Sequence, residues 1–404
     1  MLNWKLNTGR QLPIGLDIGH SSIKMMQLAP NEGHMGVLAA KKVCIDPGLG
    51  HDGKQRNGFI VAAIKDMVEN CGFKGSNVIS CLPNERLRIT SLRLGHNETD
   101  HIQKALEQEA GQRFGMDPSK DSIRYMLAGD VPQGDEIKNE LIMFAADNQS
   151  VREHIELLDE AGLRPVGLDA IPCALFRSFE RLLQREEDRE QAVVLTDVGS
   201  RFTTVVFGRG REISFIKQIQ IGGDNFNREI AAKLGVGIGE AEKLRGKLRS
   251  ESRRTEVSQS RTRRSEDSLE ENDMPQGKAE PSEPMLDTST RQVMVDAISS
   301  IAEQLAKEIS LCYRYYTVTF RGKRVERAVF SGGEAYEKIL LSVLRRQLAV
   351  EIEVAQPLRG FDLSNADFDI DRRGLLCEWA VAAGLCLKGL NGVSRVQKAA
   401  LAAG

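Results

Sequence analysis

The sequence predicts an α/β protein of two related lobes. An unusual turn occurs twice: residues 13–28 read PIGLDIGHSSIKMMQL and residues 192–207 read AVVLTDVGSRFTTVVF, each with Asp-x-Gly between two apolar strands. Each copy opens a block in which apolar strands alternate with amphipathic helices. The chain of 404 residues is also longer than one hydrophobic core usually organises.

The first block is predicted from its apolar periodicity and its glycines. Apolar residues at helical spacing indicate one helix, which Gly72 ends. The predicted elements are two strands within 11–28 joined at Asp17–Gly19, a strand at 36–43, a helix at 59–71 and a strand at 77–82.

Residues 86–168 look like a module inserted into this block. Their predicted order is β-α-β-β-α-β, which suits a small open-faced sheet carrying two helices. The strands are expected at 86–94, 122–127, 140–146 and 163–168, and the helices at 99–114 and 151–161. A helix at 171–185 then returns to the first lobe.

The second block begins with the repeated hairpin. Its further predicted elements are helices at 226–234, 239–248 and 292–316, a strand at 325–330, the turn Ser331-Gly332-Gly333 and a helix at 336–348. A last helix is expected at 373–388. The resulting division assigns 1–85, 169–190 and 373–390 to lobe I, 86–168 to the inserted subdomain, and 191–248 with 291–372 to lobe II.

Residues 249–290 have a different composition and are predicted to be disordered. Arginines crowd the first half and carboxylates the second, and too few apolar side chains are present to offset the entropy of ordering. The apolar residues are Val257, Leu269, Met274, Ala279, Met285 and Leu286.

The overall composition excludes some classes of function. A net charge of −2 argues against a general nucleic-acid binder, which usually carries a basic excess. The seven cysteines form no CxxC pair, so buried reduced thiols are expected. No run approaches about 18 apolar residues, and a soluble, unexported protein is expected.

The chemistry of the repeated turn suits phosphate binding. Glycine lets the backbone approach an anion closely, and hydroxyls follow at Ser21, Ser22, Ser200 and Thr203. An aspartate at a strand end can hold a hydrated Mg²⁺ that bridges phosphates, and Lys24 adds a positive charge. Two unrelated hairpins remain the alternative, but two copies favour a clamp on a polyphosphate between the lobes.

A third motif fits the same site. VERAVFSGGEAYEKIL places a buried strand, then Gly332-Gly333, then the start of a helix. This order brings backbone N–H groups towards a ligand.

With these motifs in place, the chain resembles the actin-like ATPase superfamily and, within it, the PilM family of type IV pilus assembly proteins. GLDIGHSSIK and TDVGSRFTT resemble the two phosphate motifs, and SGGEAYEKIL the adenosine motif. IGGDNFNREIAAKLGVGIGEAEKLR resembles the segment that ends on nucleoside contacts. The resemblance implies an actin-like (ribonuclease H-like) two-lobed fold with the relocated β-α-β-β-α-β subdomain shared by PilM and FtsA.

The resemblance also implies that ATP and Mg²⁺ bind between the lobes. The implied phosphate and ATP contacts are Asp17, Gly19, Ser21, Ser22, Lys24, Asp197, Gly199, Ser200, Thr203, Gly222 and Gly223. Asp17 and Asp197 would hold Mg²⁺ through water. The implied nucleoside contacts are Glu242, Arg245, Gly332 and Gly333.

The implied partners are the cytoplasmic tail of a PilN-like inner-membrane protein, held in a groove beside the inserted subdomain, and other components of the pilus platform. The family therefore implies a cytoplasmic protein that lies at the inner membrane only through its partner. From the net charge no nucleic-acid partner is expected, and self-association is left open.

Two departures from the family pattern concern catalysis. His20 replaces the small residue that usually follows the first Asp-x-Gly. Ile171 stands before Pro172-Cys173-Ala174, where relatives that hydrolyse ATP briskly carry Glu or Gln, and isoleucine cannot orient water. Asp169 is a substitute candidate. The expected activity is at most a slow ATPase. A sugar or acid kinase of the same fold, and a nucleotide-independent adaptor, remain as alternatives.

Overall fold

The computed structural model describes residues 12–31, 34–49, 53–95, 101–180, 192–251, 285–320, 325, 327–364, 366, 368 and 376–390. The strands, numbered in chain order, are β1 (Ile14–Ile18), β2 (Ser22–Asn31), β3 (His34–Cys44), β4 (Asn77–Cys81), β5 (Arg88–Gly95), β6 (Ser122–Gln133), β7 (Glu136–Ala146), β8 (Arg164–Asp169), β9 (Ala192–Val198), β10 (Thr203–Arg209), β11 (Glu212–Ile219), β12 (Arg327–Ser331) and β13 (Glu351–Val354).

The helices are numbered in the same way. They are α1 (Gly53–Asn70), α2 (Ile102–Phe114), α3 (Asn148–Glu160), α4 (Ile171–Glu180), α5 (Gly223–Leu234), α6 (238–251), α7 (Thr288–Thr319), α8 (Lys338–Gln347) and α9 (380–390). No helix in these described stretches is both long and apolar enough to cross a membrane.

Two five-stranded sheets repeat one arrangement. The first sheet has the order β3-β2-β1-β4-β8, and the second has the order β11-β10-β9-β12-β13. In each sheet three antiparallel strands linked along the chain are followed by two parallel strands. Parallel neighbours need a crossover connection, and the helices between them provide it. The predicted duplication is therefore confirmed.

The core of the first lobe lies on both faces of its sheet. On one face α1 packs against β2 and α3 against β8, with Ile64, Met67 and Leu158 fully buried. On the other face α9 lies against β1, where a Cβ on Gly15 would come within 2.5 Å of the Ala382 carbonyl oxygen. Glycine is needed at this position because the helix approaches the strand so closely.

The core of the second lobe is built around the long helix α7. The Asp287 side chain caps its N-terminus by accepting a hydrogen bond of 2.8 Å from the Thr290 N–H. The buried ring of Phe207 on β10 stacks on Tyr316 of α7 at 4.8 Å between centroids. Burial of such aromatic surface is a main source of stability.

The inserted module is smaller than the sequence predicted. Its sheet has the order β5-β7-β6 and is covered on one face by α2, through Leu106 and Ala110. The predicted last strand, β8, pairs instead with β4 of the first sheet, and α3 packs beside α1. The physical reason is that Leu158 and Leu163 complete the apolar cluster of the first lobe.

This module contacts the second lobe through a polar cluster. The Arg93 guanidinium lies 2.8 Å from the buried carboxylate of Glu140 and 3.2 Å from the Thr319 hydroxyl of α7. Tyr315 of α7 donates a hydrogen bond of 3.3 Å to Glu140. The β5–β7 pair is thus tied to α7.

Several predicted boundaries differ from the observed ones. Helix α1 begins six residues before the predicted start at 59, and the hairpin of β6 and β7 is longer than predicted. Strands β11 and β13 were not predicted. The predicted extension of α4 over 181–185, and the first residues of the predicted final helix, lie outside the described residues.

Both ends of the segment that was predicted to be disordered, residues 249–251 and 285–290, belong to the described structure. Residues 249–251 complete α6, and Glu251 accepts a hydrogen bond of 2.9 Å from the Leu286 N–H and pairs with Arg291. These contacts join the two ends of the segment. Residues 252–284 lie outside the described residues.

The cysteine prediction holds in part. All seven cysteines are free thiols, as expected, but Cys44 is exposed, and Cys71 and Cys173 are half-buried.

Candidate functional site

The two acidic turns have the same backbone geometry. In the first, the Gly19 N–H donates to the Ser22 carbonyl at 2.9 Å; in the second, the Gly199 N–H donates to the Phe202 carbonyl at 2.9 Å. Both glycine amides therefore close their own turns instead of pointing at an anion, which corrects part of the expectation. Asp17 faces Lys24 across the first hairpin, and Asp197 faces Thr204 across the second.

One lysine acts on both aspartates. Lys24 Nζ lies 2.9 Å from Asp17 Oδ2, and both side chains are buried. Burial lowers the pKa of Lys24, but the charges of Asp17, Asp197 and Glu378 outweigh it, so that the pKa is raised. Because electrostatic interaction falls with distance, the two aspartates and Lys24 form one site between the lobes.

Asp197 is the carboxylate of this site whose ionised form is disfavoured. Burial, followed by the neighbouring charge of Asp17, raises its pKa to about 6, although Lys24 and Ser331 act in the opposite direction. The Ser331 hydroxyl donates a hydrogen bond of 3.0 Å to Asp197 Oδ1. Two carboxylates with one ammonium leave an excess of negative charge, and this favours an added cation.

Ser21 and Ser22 follow the first turn. The Ser21 carbonyl accepts a hydrogen bond from the Ile45 N–H at 2.9 Å, and the Ser22 side chain is buried. Ser21 is exposed and is the hydroxyl of this turn that solvent reaches.

The second turn is supported by the glycines of two other predicted motifs. A Cβ on Gly222 would come within 2.5 Å of the Gly199 carbonyl oxygen, and one on Gly332 would come within 2.4 Å of the Val198 carbonyl oxygen. Gly332 also has φ +91°, a conformation that favours glycine. These glycines let the start of α5 and the Ser331-Gly332-Gly333 turn pack directly on the second hairpin.

Two of the predicted phosphate contacts are engaged in this packing. The Gly223 N–H donates to the Gly199 carbonyl at 3.0 Å, and the Thr203 hydroxyl donates to the Ile221 carbonyl at 2.7 Å. Both residues therefore position the second turn. Ser200 is the hydroxyl of this turn that reaches the cleft, where it bonds to Asp224.

A cavity of about 320 Å³ lies beside the Ser331-Gly332-Gly333 turn. Its walls come from the end of α6, from the turn itself, and from β3 and the segment before α9 in the first lobe. The lining includes Lys42, Arg249, Gly333, Tyr336, Glu337 and Glu378. The sequence predicted only Gly333 among these; Tyr336 stood within the SGGEAYEKIL motif, but nothing marked Lys42 or Glu378.

Glu378 is one of two deeply buried carboxylates that line this cavity. It is 3 % exposed, and the Tyr336 hydroxyl donates a hydrogen bond to its Oε2. Its Oε1 has no hydrogen bond among the described residues and lies 3.8 Å from Lys42 Nζ. A buried acceptor of this kind favours a hydrogen-bond donor on a ligand.

Arg245 has a different role from the predicted nucleoside contact. It is 3 % exposed, pairs with Glu334 and with Glu337 at 3.2 Å, and lies over the Phe226 ring at 4.6 Å. It therefore ties α6 to the glycine turn, and Arg249, one helical turn later, pairs with the same two glutamates and also lines the cavity. Glu242 is half-buried on α6, and burial together with the charge of Asp224 raises its pKa.

Asp169, the candidate for orienting a water molecule, forms ion pairs with two basic side chains. Its carboxylate lies 2.8 Å from Arg177 Nη1 and 3.2 Å from Lys388 Nζ. These pairs join β8 to α4 and α9, which indicates a structural role. Ile171 packs against an apolar cluster that contains Ile79 and Leu385.

His20 lies at the mouth of the site. Its Nε2 is 3.6 Å from Asp224 Oδ2 at the start of α5, so the first turn contacts the second lobe. Burial and the charge of Arg201 lower the pKa of His20 to about 4, and the ring is neutral at pH 7.

Among the described residues, no group of three or more His, Cys, Asp or Glu side chains could hold a metal ion.

Comparison with known proteins agrees with this architecture. The fold is similar to that of the PilM-PilN type IV pilus biogenesis complex, with a TM-score of 0.68 and 21 % identity over 94 % of this chain and 98 % of that chain. It is also similar to the ethanolamine utilization protein EutJ from Carboxydothermus hydrogenoformans, with a TM-score of 0.50 and 12 % identity over 94 % and 90 % of the two chains. No curated protein matches the sequence.

The predicted actin-like fold is confirmed by these similarities. A family model described as type IV pilus assembly protein PilM matches residues 15–256, a range that contains both acidic turns, the inserted module and α5. The chain therefore belongs to the PilM family of type IV pilus assembly proteins.

Proposed function

We propose that the protein is a nucleotide-dependent scaffold of a type IV pilus or related secretion platform, and that it binds Mg-ATP between its two lobes. One observation carries the nucleotide part: the two equivalent turns bring Asp17, which pairs with Lys24 at 2.9 Å, and Asp197, on which the charge of Lys24 also acts, to one site. Strand ends that bring acidic and basic groups together across a cleft suit a charged ligand.

The residues at the turns fit a phosphate chain with Mg²⁺. Lys24 would provide a positive charge, and the carboxylates of Asp17 and Asp197 would hold the hydrated metal. Mg²⁺ usually keeps several waters and takes one or two carboxylates together with phosphate oxygens. The two aspartates therefore suffice without further protein ligands, and bound Mg²⁺ would neutralise the negative charge that raises the pKa of Asp197.

The cavity beside Gly333 would hold the nucleoside. It adjoins the second turn, because Ser331 bonds to Asp197 and Gly332 packs on Val198. Tyr336 and Glu378 offer a ring and a buried acceptor there. Arg245 and the glycines would act by fixing the shape of this cavity, not by touching the ligand.

Family membership supports a place on the pilus assembly platform, with a PilN-like inner-membrane protein as partner. We place its cytoplasmic tail beside the inserted module. The outer strand of that module, β6, carries Tyr125 at 44 % and Leu127 at 60 % exposure, and Ile137 on β7 is 60 % exposed. An extended tail with apolar side chains would cover these residues. The protein would then lie in the cytoplasm and reach the membrane through this partner.

Hydrolysis of ATP would be slow. Ile171 lies in an apolar cluster at the start of α4, and Asp169 is held by Arg177 and Lys388. Neither side chain is available to orient a water. A ligand shifts an equilibrium between open and closed lobes only by its differential affinity for the two states, and binding alone would therefore drive the switch.

Calorimetric titration with Mg-ATP, combined with a pull-down by a synthetic tail of the PilN-like protein, tests the proposal. The wild type is expected to bind Mg-ATP and to retain the tail differently with and without it. Asp197→Ala should abolish Mg-ATP binding, while the exposed control Asp296→Ala should not. Tail binding that is the same with and without Mg-ATP would favour the nucleotide-independent adaptor. An unchanged affinity of Asp197→Ala for Mg-ATP would contradict nucleotide binding between the two turns.

A further inference from the structure

One carboxylate at the mouth of the cleft is approached from both acidic turns. The Ser200 hydroxyl donates a hydrogen bond of 2.5 Å to Asp224 Oδ1. Arg201 Nε lies 3.5 Å and His20 Nε2 lies 3.6 Å from Asp224 Oδ2. His20 belongs to the first turn, and Ser200 and Arg201 to the second, so polar groups from both lobes converge on Asp224.

These groups stand at equivalent places in the two turns. His20 directly follows Gly19, and Ser200 directly follows Gly199. The first turn is held in position by Arg56, whose Nη2 donates to the Gly19 and His20 carbonyls at 3.0 and 2.6 Å. The convergence on Asp224 is therefore built by the same duplicated geometry that places Asp17 and Asp197.

Convergent hydroxyl, guanidinium and imidazole groups suit a phosphate better than a carboxylate. A phosphate has three acceptor oxygens and more negative charge, and hydrogen bonds from charged donors to phosphate are among the strongest in proteins. The side chains concerned are about one quarter exposed, at 25 % for His20, 27 % for Arg201 and 26 % for Asp224. A ligand that enters the cleft can reach them.

We propose that Asp224 is an internal anion that occupies the terminal-phosphate subsite, and that the terminal phosphate of a nucleoside triphosphate displaces it from His20, Ser200 and Arg201. This inference rests on the proposed nucleotide-binding function. The phosphate then joins the two turns directly, in place of the contact between His20 and Asp224. A diphosphate, which lacks the terminal group, leaves Asp224 where it is.

The proposal implies that Asp224 weakens the binding of a nucleoside triphosphate but not that of a diphosphate. Asp224 competes only with a ligand that reaches its donors, and its charge also repels an approaching phosphate. Its removal should therefore strengthen triphosphate binding and leave diphosphate binding almost unchanged. Removal of Arg201 should have the opposite effect on the triphosphate, again with little effect on the diphosphate.

The test is calorimetric titration of the full chain with Mg-ATP and with Mg-ADP. For Asp224→Asn we expect the Kd of Mg-ATP to fall by about tenfold, which is the size of one charged hydrogen bond, while that of Mg-ADP changes by less than about twofold. For Arg201→Gln we expect the Kd of Mg-ATP to rise by about tenfold. Thermal unfolding checks that each variant is folded.

Matched variants remove the same charges elsewhere. Glu229→Gln lies on α5 beside Lys233, and Arg211→Gln lies in the β10–β11 connection beside Glu180; neither should change the ratio of the two Kd values. A wild type that binds both nucleotides, with that ratio unaltered in Asp224→Asn and Arg201→Gln, overturns this inference alone. A wild type that binds neither nucleotide overturns the proposed function, and the inference with it.

Discussion

Replacement of Asp197 by asparagine should make the ligand-free protein more stable. The carboxylate of Asp197 is half-buried, and both burial and the charge of Asp17 raise its pKa from 3.8 to about 6. At pH 7 the folded protein therefore holds an ionised group in an unfavourable place. Asparagine keeps an oxygen that can accept the hydrogen bond from Ser331 and removes the charge.

The size of the effect follows from the pKa shift. A shift of one unit corresponds to about 1.4 kcal/mol, so a rise from 3.8 to about 6 corresponds to about 3 kcal/mol at most. Partial exposure of the side chain reduces this to about 1–3 kcal/mol. Below the unfolded pKa both states are protonated and no cost arises. As the pH rises from 3.8 to 6 the folded state binds more protons, so stability falls, and above 6 the full cost is present.

Thermal unfolding by calorimetry at pH 7.5 and at pH 5 measures this cost. The Asn variant should unfold several degrees above the wild type at pH 7.5, and the difference should shrink at pH 5. Asp296→Asn, an exposed change on α7, should show neither effect. Saturating Mg-ATP should raise the Tm of the wild type only, because a ligand stabilises the state that binds it. An Asn variant no more stable than the wild type at pH 7.5 would refute the reasoning.

Three further predictions concern the cavity, catalysis and the segment after α6. Arg245→Ala should cost about 2–3 kcal/mol of stability, because Glu334 and Glu337 lose one of their two guanidinium partners and keep Arg249. Arg249→Ala should cost less, because its side chain is more exposed than that of Arg245. A stable Arg245→Ala with lost ATP affinity would indicate a direct nucleoside contact. Phosphate release from Mg-ATP should stay near background in a colorimetric assay, since Ile171 cannot orient water, and rapid turnover would contradict this. Replacement of residues 252–284 by a short Gly/Ser linker should leave Tm and ATP affinity nearly unchanged, because Glu251 already joins the two ends; a large loss of either would show that the segment contributes to the fold.

The duplicated fold could be predicted because its signal is local. Each acidic turn lies between two apolar strands within sixteen residues, and the hairpin register follows from the turn. Strands β11 and β13 were missed for a different reason. EISFIKQI and EIEV carry charged residues within short apolar runs, and only their pairing with β10 and β12 makes them strands.

The limits of the inserted module could not be read from local pattern. The sequence order of strands and helices from 86 to 168 fits a self-contained β-α-β-β-α-β unit. Which sheet β8 joins depends on long-range pairing, and it is decided by the apolar cluster that Leu158 and Leu163 complete with α1. Periodicity reports that a face is apolar but not which surface covers it.

The residues of the site also divide into those that a local motif identifies and those that only the fold brings together. Asp17, Lys24 and Asp197 could be found because each lies in a repeated motif, and the structure brings them together. Glu378 and Lys42 could not be found, because they come from segments far apart in the chain, β3 and the segment before α9, which pack together within the first lobe. Arg245 and Thr203 lie in motifs that implied ligand contact, yet their side chains are satisfied by protein groups.

The two turns are equivalent in backbone but not in charge, and under the proposed function this difference would affect the closure of the lobes. Lys24 faces Asp17 within its own hairpin, whereas Asp197 faces Thr204, whose hydroxyl accepts a hydrogen bond of 3.2 Å from Asn84 of the first lobe. Asp197 therefore draws its electrostatic compensation from the opposite lobe. If the lobes separated, the Asp197 carboxylate would lose its electrostatic interaction with Lys24 but would be hydrated by water. If they closed without an added cation, the ionised carboxylate would be disfavoured by burial and by the charge of Asp17, which is why its pKa is raised. Under the proposed function, a metal ion bound with phosphates would remove that energetic cost only in the closed state, and the asymmetry between the turns would then make closure depend on the ligand.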